Sequence, residues 1–238
     1  MYTALRRLII TALTAAVLCG CVYANSADIR LSDSGYTTDT SEINAQSFEI
    51  AGLKNSDFCS QVNSAVQSDI EGAIISFETM VQDSLGELRM GNRCILDITQ
   101  ELKYNENDLL SIIEEHYVYV GGAHGSRARY PRNYDLAEGR QLYLSDLFNE
   151  GYKETLNRII AEQEQADTER YSELWKRPEI MSEHETNFYF SPGKLVIFFQ
   201  PYELSYYAKG YVEFEIPFSE ISGSMKEEWR SRLSNKKM

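Results

Sequence analysis

The chain has 238 residues, 43% of them hydrophobic and 25% charged, a composition that excludes collagen, long coiled coils and a fully disordered chain. Lys and Arg number 23 against 36 Asp and Glu, a formal net charge of −13. That balance is the opposite of the basic stripe that replaces phosphate counterions, and it argues against nucleic acid as a partner. Chemistry is also scarce: three histidines, four cysteines and no familiar catalytic motif.

Residues 1–20 have the layout of a secretory signal, with Arg6 and Arg7 followed by an apolar run from Leu8 to Cys19. The run is shorter than the roughly 20 residues a bilayer-spanning helix needs. It ends Leu18-Cys19-Gly20-Cys21, which is similar to the bacterial lipobox and makes Cys21 the expected site of lipidation. Ordinary cleavage near Ala24 is the alternative. Two or three acyl chains, at about 0.8 kcal/mol per buried methylene, anchor a protein lastingly. The expected location is the extracytoplasmic cell envelope, on the outer membrane facing the periplasm in a two-membrane host, because Val22 follows the cysteine. Removing the leader leaves 21 basic against 36 acidic residues, so the mature chain is still more acidic.

Residues 21–44 are rich in Ser, Thr, Asp and Asn without an apolar period and read as a tether with a span of roughly 26 Å. A strand is expected over Gln46–Ala51. From Asn55 or Ser56 a helix follows, with Phe58, Val62, Ala65, Val66, Ile70, Ala73, Ile74 and Phe77 on one face. Cys94 to Tyr104 alternates as a strand, Asn105–Asp108 supplies hairpin turn chemistry, and Leu109–Val120 returns. Cys59 and Cys94 remain once the leader is removed. In an oxidising compartment they are expected to form a disulfide, contributing roughly 3 to 4 kcal/mol in the chain-entropy model; two buried thiols are the alternative.

A second hairpin is expected within Arg127–Leu144, turning at Ala137–Arg140. A short helix capped by Ser145-Asp146 follows, then a longer one carrying Tyr152, Leu156, Ile159, Ile160 and Gln163 on one face. Residues 166–186 read as irregular and charged. Strands are expected over Thr186–Phe190, Lys194–Phe199 and Tyr211–Ile216, and the basic tail 223–238 reads as a frayed helix. Helices interleaved with antiparallel hairpins indicate an α+β fold, with antiparallel or mixed sheets and helices packed on them in two closely associated lobes.

Two segments stand out. Tyr117–Gly125 runs a strand into Gly121, Gly122 and His124, where glycines permit positive φ and hold the histidine on a constrained turn. Phe198–Gly210 ends a buried strand in a Pro-initiated turn, Gln200-Pro201-Tyr202-Glu203, followed by Tyr206 and Tyr207.

With Tyr134-Asp135-Leu136…Gly139, Leu144-Ser145-Asp146-Leu147-Phe148 and a late Ile216-Pro217-Phe218-Ser219, these motifs occur in an order that resembles a known family. It is the extracytoplasmic module called domain of unknown function 3298, with its N-terminal companion, domain of unknown function 4163. The resemblance covers about residues 45–222. It implies a companion-like lobe over 45–105 and a 3298-like lobe over 106–222. The Cys59/Cys94 pair and the segment 166–186 depart from the pattern. Such modules occur beside catalytic domains in peptidoglycan deacetylases, and as the outer part of an anti-sigma factor that is a receptor for lysozyme.

The resemblance therefore implies a non-enzymatic recognition module, fastened to the membrane by its lipid anchor, for a lysozyme-like basic protein or peptidoglycan. Gly121, Gly122, His124, Gln200, Tyr202, Glu203, Tyr206 and Tyr207 are the candidate binding residues. The bland alternative for each is a core tyrosine or a turn-capping histidine. No catalytic residue, metal or cofactor is expected. An enzyme would need His124 as base or ligand beside a carboxylate such as Glu203. Glu114-Glu115-His116 is a poor metal triad, because strand alternation sends Glu115 to the opposite face. A structural lipoprotein whose basic tail touches anionic lipid is the third reading.

Overall fold

The structure is a computed structural model that describes residues 26–84 and 93–234. The expected leader, Cys21 and the last four residues of the tail lie outside the described residues. The fold is α+β, with a six-stranded sheet ordered β1-β2-β3-β4-β5-β6 and a three-stranded sheet ordered β7-β8-β9. The chain divides into two units. The first comprises the residues up to Glu101 with Glu114–Arg129, and the second comprises Leu102–Ile113 with the residues from Tyr130 onward. The strands over 94–106, 109–119 and 126–135 each cross this division.

In the first unit β1 (Asp28–Thr37) pairs antiparallel with β2 (Ser41–Ala51), and β2 pairs parallel with β3 (Cys94–Glu106). A parallel pair needs a long crossover, and α1 (Ser56–Ser84) supplies it. Its buried face is Phe58, Val62, Val66, Ile70, Phe77 and Val81, the expected period carried one turn further. The Asn63 side chain fixes α1 on the sheet by accepting from Ile50 N–H (2.8 Å) and donating to Ile50 C=O (3.1 Å).

The segment expected as a tether is therefore corrected: residues 28–37 and 41–51 form strands. β1 is an edge strand exposed along most of its length, so it lacks the apolar alternation by which a half-buried strand is recognised.

The expected disulfide is also corrected. Cys59 and Cys94 are both buried free thiols. Asn63 sets the start of α1 against Ile50, whereas Cys94 pairs with Ser41 at the other end of β2. Nine residues of strand, at about 3.3 Å each, put roughly 30 Å between those ends. A disulfide requires Cα atoms within about 7 Å.

In the second unit the end of β3 turns into β4 (Leu109–Tyr119) through Asn107 and Asp108, both with positive φ (55° and 58°), the pattern of a type I′ hairpin. β5 (Ser126–Asp135) pairs antiparallel with the short β6 (Arg140–Gln141). α2 (Leu144–Leu147) and α3 (Tyr152–Ala166) precede the second sheet, an antiparallel run of β7 (Phe188–Ser191), β8 (Lys194–Phe199) and β9 (Val212–Pro217). β8 is apolar on both faces because both are covered. Leu195, Ile197 and Phe199 join the main core with Leu156, Ile159 and Ile160 of α3, while Val196 and Phe198 pack with Ile113 and Tyr189.

After α4 (Phe218–Ile221) the chain ends in α5 (Glu227–Ser234). This corrects the expected frayed tail. Met225 and Trp229 are core residues, Leu233 packs against the same cluster, and Trp229 Nε1 donates to Asp146 C=O (2.8 Å). Trp229 and Leu233, four residues apart, lie on one face of α5, and Met225, ahead of the helix, forms an isolated antiparallel bridge with Phe148. Among the described residues no helix is long and apolar enough to cross a membrane.

Candidate functional site: an aromatic surface on the loop after β8

In the second unit, β8 ends at Phe199 and the chain reverses through Gln200-Pro201-Tyr202-Glu203, closed by Glu203 N–H donating to Gln200 C=O (3.0 Å). Proline fits the first central position of such a turn. The second carries positive φ, ordinarily supplied by glycine, yet here it is Tyr202 at φ 69°. A left-handed conformation costs a side-chain-bearing residue roughly 1–2 kcal/mol. Tyr202 is 54% exposed, so burial does not offset that cost.

The turn is held from within by Glu203. One carboxylate oxygen accepts from Gln200 N–H (2.8 Å) and the other lies 2.5 Å from His184 Nε2. His184 is buried, its ring edge-on to Phe199, and its Nδ1 accepts the Met181 N–H (2.9 Å). That bond places the imidazole proton on Nε2, which donates to Glu203. Burial opposes ionisation of Glu203, but the hydrogen bonds from His184 and Gln200 outweigh it and hold the carboxyl below its ordinary value.

A second segment runs beside the loop. Tyr171 stacks on Phe214 with ring centres 4.6 Å apart. Beyond it, Glu173 C=O accepts from Ser205 Oγ (2.8 Å), Trp175 N–H donates to Leu204 C=O (2.9 Å), and the Tyr206 hydroxyl donates to the Glu173 carboxylate. That carboxylate acceptor raises the Tyr206 pKa. The result is a patch of exposed Trp175, Tyr202 and Tyr206, with Tyr207 half-buried and its ring centre 5.6 Å from that of Tyr202. The two segments that build it, 167–179 and 200–210, carry five acidic and four basic residues, so the patch is nearly neutral within an acidic chain.

The glycine-histidine motif belongs to the first unit. Gly121 and Gly122 have φ of 111° and 87°, His124 Nδ1 donates to Gly125 C=O (2.7 Å), and Tyr119 donates to Gly122 C=O (3.3 Å). A Cβ on Gly125 would stand 2.5 Å from the Tyr117 ring, over which Arg127 is stacked. The motif is a constrained turn whose histidine binds its own loop. Glu114 and His116 meet on one side of their strand (2.9 Å), while Glu115 pairs with Arg127 and Arg129, as alternation requires.

Of the eight candidate binding residues, Gln200, Tyr202, Glu203, Tyr206 and Tyr207 thus come together, and Gly121, Gly122 and His124 form a separate loop in the other unit. The enzyme reading joined Glu203 to His124; its histidine partner is His184. Sequence reasoning missed His184, Glu173 and Trp175, all in the segment read as irregular and charged. One of only two tryptophans lying in such a polar stretch was the available signal.

Residues 145–219 match the family profile described as a protein of unknown function (DUF3298), and residues 35–127 match the profile described as Deacetylase PdaC. No curated protein sequence matches the chain. Among solved structures, a DUF3298 family member from Bacteroides fragilis NCTC 9343 superposes with a TM-score of 0.68 at 17% identity, over 89% of this chain and 99% of that one. A DUF3298 family protein from Pseudomonas aeruginosa PAO1 gives 0.60 at 15% identity, over 86% and 97%. The chain thus resembles the DUF3298 family in its matched segment 145–219 and in its fold, with a segment similar to the PdaC profile ahead of it.

Proposed function

We propose that this protein is a lipid-anchored recognition module of the bacterial cell envelope that binds the glycan of peptidoglycan on Trp175, Tyr202, Tyr206 and Tyr207 and catalyses no reaction on it. The observation that carries the reading is the exposed Tyr202 ring, held in a strained turn beside other exposed aromatics. Backbone strain at an exposed position points to function. Aromatic faces with polar tips suit sugar rings, and the near-neutral patch suits an uncharged saccharide. Glu203 is occupied in holding the turn, which favours binding over catalysis. The match to a deacetylase profile and the likeness to modules found beside peptidoglycan deacetylases support a wall-facing role. The lipobox-like Cys21 supports the anchor.

The test is co-sedimentation of the full chain with purified peptidoglycan. Retention that survives added salt and is lost in Trp175→Ala and Tyr202→Ala is expected, and a wild-type chain left in the supernatant overturns the reading. The net charge of −13 favours a second reading, recognition of a lysozyme-like basic protein by long-range attraction. Retention on immobilised lysozyme that fades with salt, without retention on peptidoglycan, would select it. Incorporation of labelled palmitate, absent in Cys21→Ala, tests the anchor.

A further inference from the structure

A cavity of about 460 Å³ opens on the second unit between α3 and residues 177–179, within the size range of small-ligand sites. Its walls are charged with both signs. Arg158 and Glu162 contribute from α3, already paired with each other (2.6 Å), and Arg177 and Glu179 contribute from the facing segment. Pro178 between them is buried and the segment is fastened to α3 by Ile180 N–H donating to Asn157 Oδ1 (2.7 Å). Arg177 and Glu179 are exposed, and among the described residues neither side chain has an ion-pair or hydrogen-bond partner. An unpaired guanidinium and an unpaired carboxylate at the rim of one cavity complement a ligand that carries both a carboxylate and an ammonium.

Trp175 stands two residues before Arg177, so their Cα atoms are within about 7 Å. The aromatic surface and the charged cavity are neighbours on one stretch of chain. A bare glycan has no use for the charges, and a uniformly basic partner would be opposed by Arg158, Lys176 and Arg177. A wall fragment presents both chemistries, neutral sugars and a stem peptide with free carboxylates and the amine of a diamino acid.

We infer that the cavity is a subsite for the stem peptide of the wall fragment whose sugar lies on the aromatic surface, Arg177 taking a carboxylate and Glu179 the ammonium; this rests on the glycan reading above. A guanidinium matches a carboxylate in a forked geometry that lysine does not reproduce.

Calorimetric titration of the full chain with a disaccharide-tetrapeptide muropeptide and with an N-acetylglucosamine tetramer tests it. The muropeptide should bind about tenfold more tightly than the tetramer, the gain one well-formed charged contact gives. R177Q and E179Q, both at exposed positions, should remove that advantage and leave tetramer binding unchanged. Equal affinity for the two ligands, or wild-type muropeptide affinity in the R177Q/E179Q double variant, overturns the peptide subsite and leaves the aromatic-surface reading standing. Absence of binding by both ligands overturns the two together.

Discussion

His184 Nε2 lies 2.5 Å from Glu203 Oε1, and the same imidazole receives the Met181 N–H on Nδ1, so one buried ring ties the turn after β8 to the segment before β7. The carboxyl of Glu203 is held below its ordinary 4.5, its burial being outweighed by the hydrogen bonds it accepts. A depressed carboxyl stabilises the folded state above the unfolded value, and that stabilisation is lost as the pH falls through the folded one. The resistance of the wild-type chain to urea should therefore weaken as the pH drops below 4.5. Glu203→Gln should lose stability at pH 7 and show a shallower acid decline. An unchanged acid limb would remove Glu203 as its source. His184→Ala should cost about 2 kcal/mol at pH 7, since it leaves a largely buried carboxylate oxygen without its donor.

Arg232 is the clasp of the C-terminal helix. Its guanidinium meets both oxygens of the buried Asp135 carboxylate (3.0 and 3.1 Å) and the carbonyls of Asn107 and Asp108 at the hairpin turn. Arg232→Ala leaves Asp135 buried, with the N–H groups of Ala137 and Glu138 as the remaining donors to its side chain among the described residues. Removing one partner of such a pair costs about 3 kcal/mol. Chemical denaturation should show this loss, and the Asp135→Asn/Arg232→Ala double variant should lose less than the single changes added together. A loss near zero in Arg232→Ala would mean the helix is held by the packing of Trp229 and Leu233 and not by this ion pair.

Much of this architecture was legible in the sequence where a period existed to be read. The apolar face of α1, the uninterrupted Leu195–Phe199 run and the Asn107-Asp108 turn each announce themselves in one short window. β1 did not, because an exposed edge strand has no buried face to print an alternation. The basic residues of α5 likewise hid Trp229 and Leu233, which pack on the core beside Met225. At the candidate site the Pro201-Tyr202 turn was readable, but the bonds that complete the patch join residues 19 to 33 positions apart. No local pattern encodes such a pairing.

The glycine-histidine loop makes a steric prediction. A Cβ at Gly125 would fall 2.5 Å from two carbons of the Tyr117 ring, inside any real contact distance. Gly125→Ala should destabilise the first unit by about 1–3 kcal/mol through overpacking. Tyr117→Ala removes the obstacle, so Gly125→Ala made in that background should cost much less. Equal costs in both backgrounds would show that the ring is not what requires glycine there.

Tyr202 separates conformational strain from side-chain function. Tyr202→Gly and Tyr202→Ala both delete the ring and its contact with Tyr207, and differ only in how well they accept φ 69°. Glycine should be the more stable by about 1 kcal/mol, because an alanine Cβ keeps the left-handed penalty. Thermal unfolding measures the difference. Both variants should lose retention on peptidoglycan equally, so a glycine variant that still binds would shift the contact from the Tyr202 ring to its neighbours.

The two cysteines give a prediction that compartment alone would reverse. Exported chains with an even pair of thiols usually oxidise them, yet Cys59 and Cys94 sit toward opposite ends of β2, and no rotation of side chains spans that distance. Burial also raises the Cys94 thiol pKa, which suppresses the thiolate that disulfide exchange requires. Alkylation of the unfolded chain without reductant, followed by peptide mapping, should find Cys59 and Cys94 on separate alkylated peptides, and reductant should leave the unfolding midpoint unchanged. A peptide linking the two would require α1 to lie along the sheet in a different register from the one Asn63 and Ile50 set.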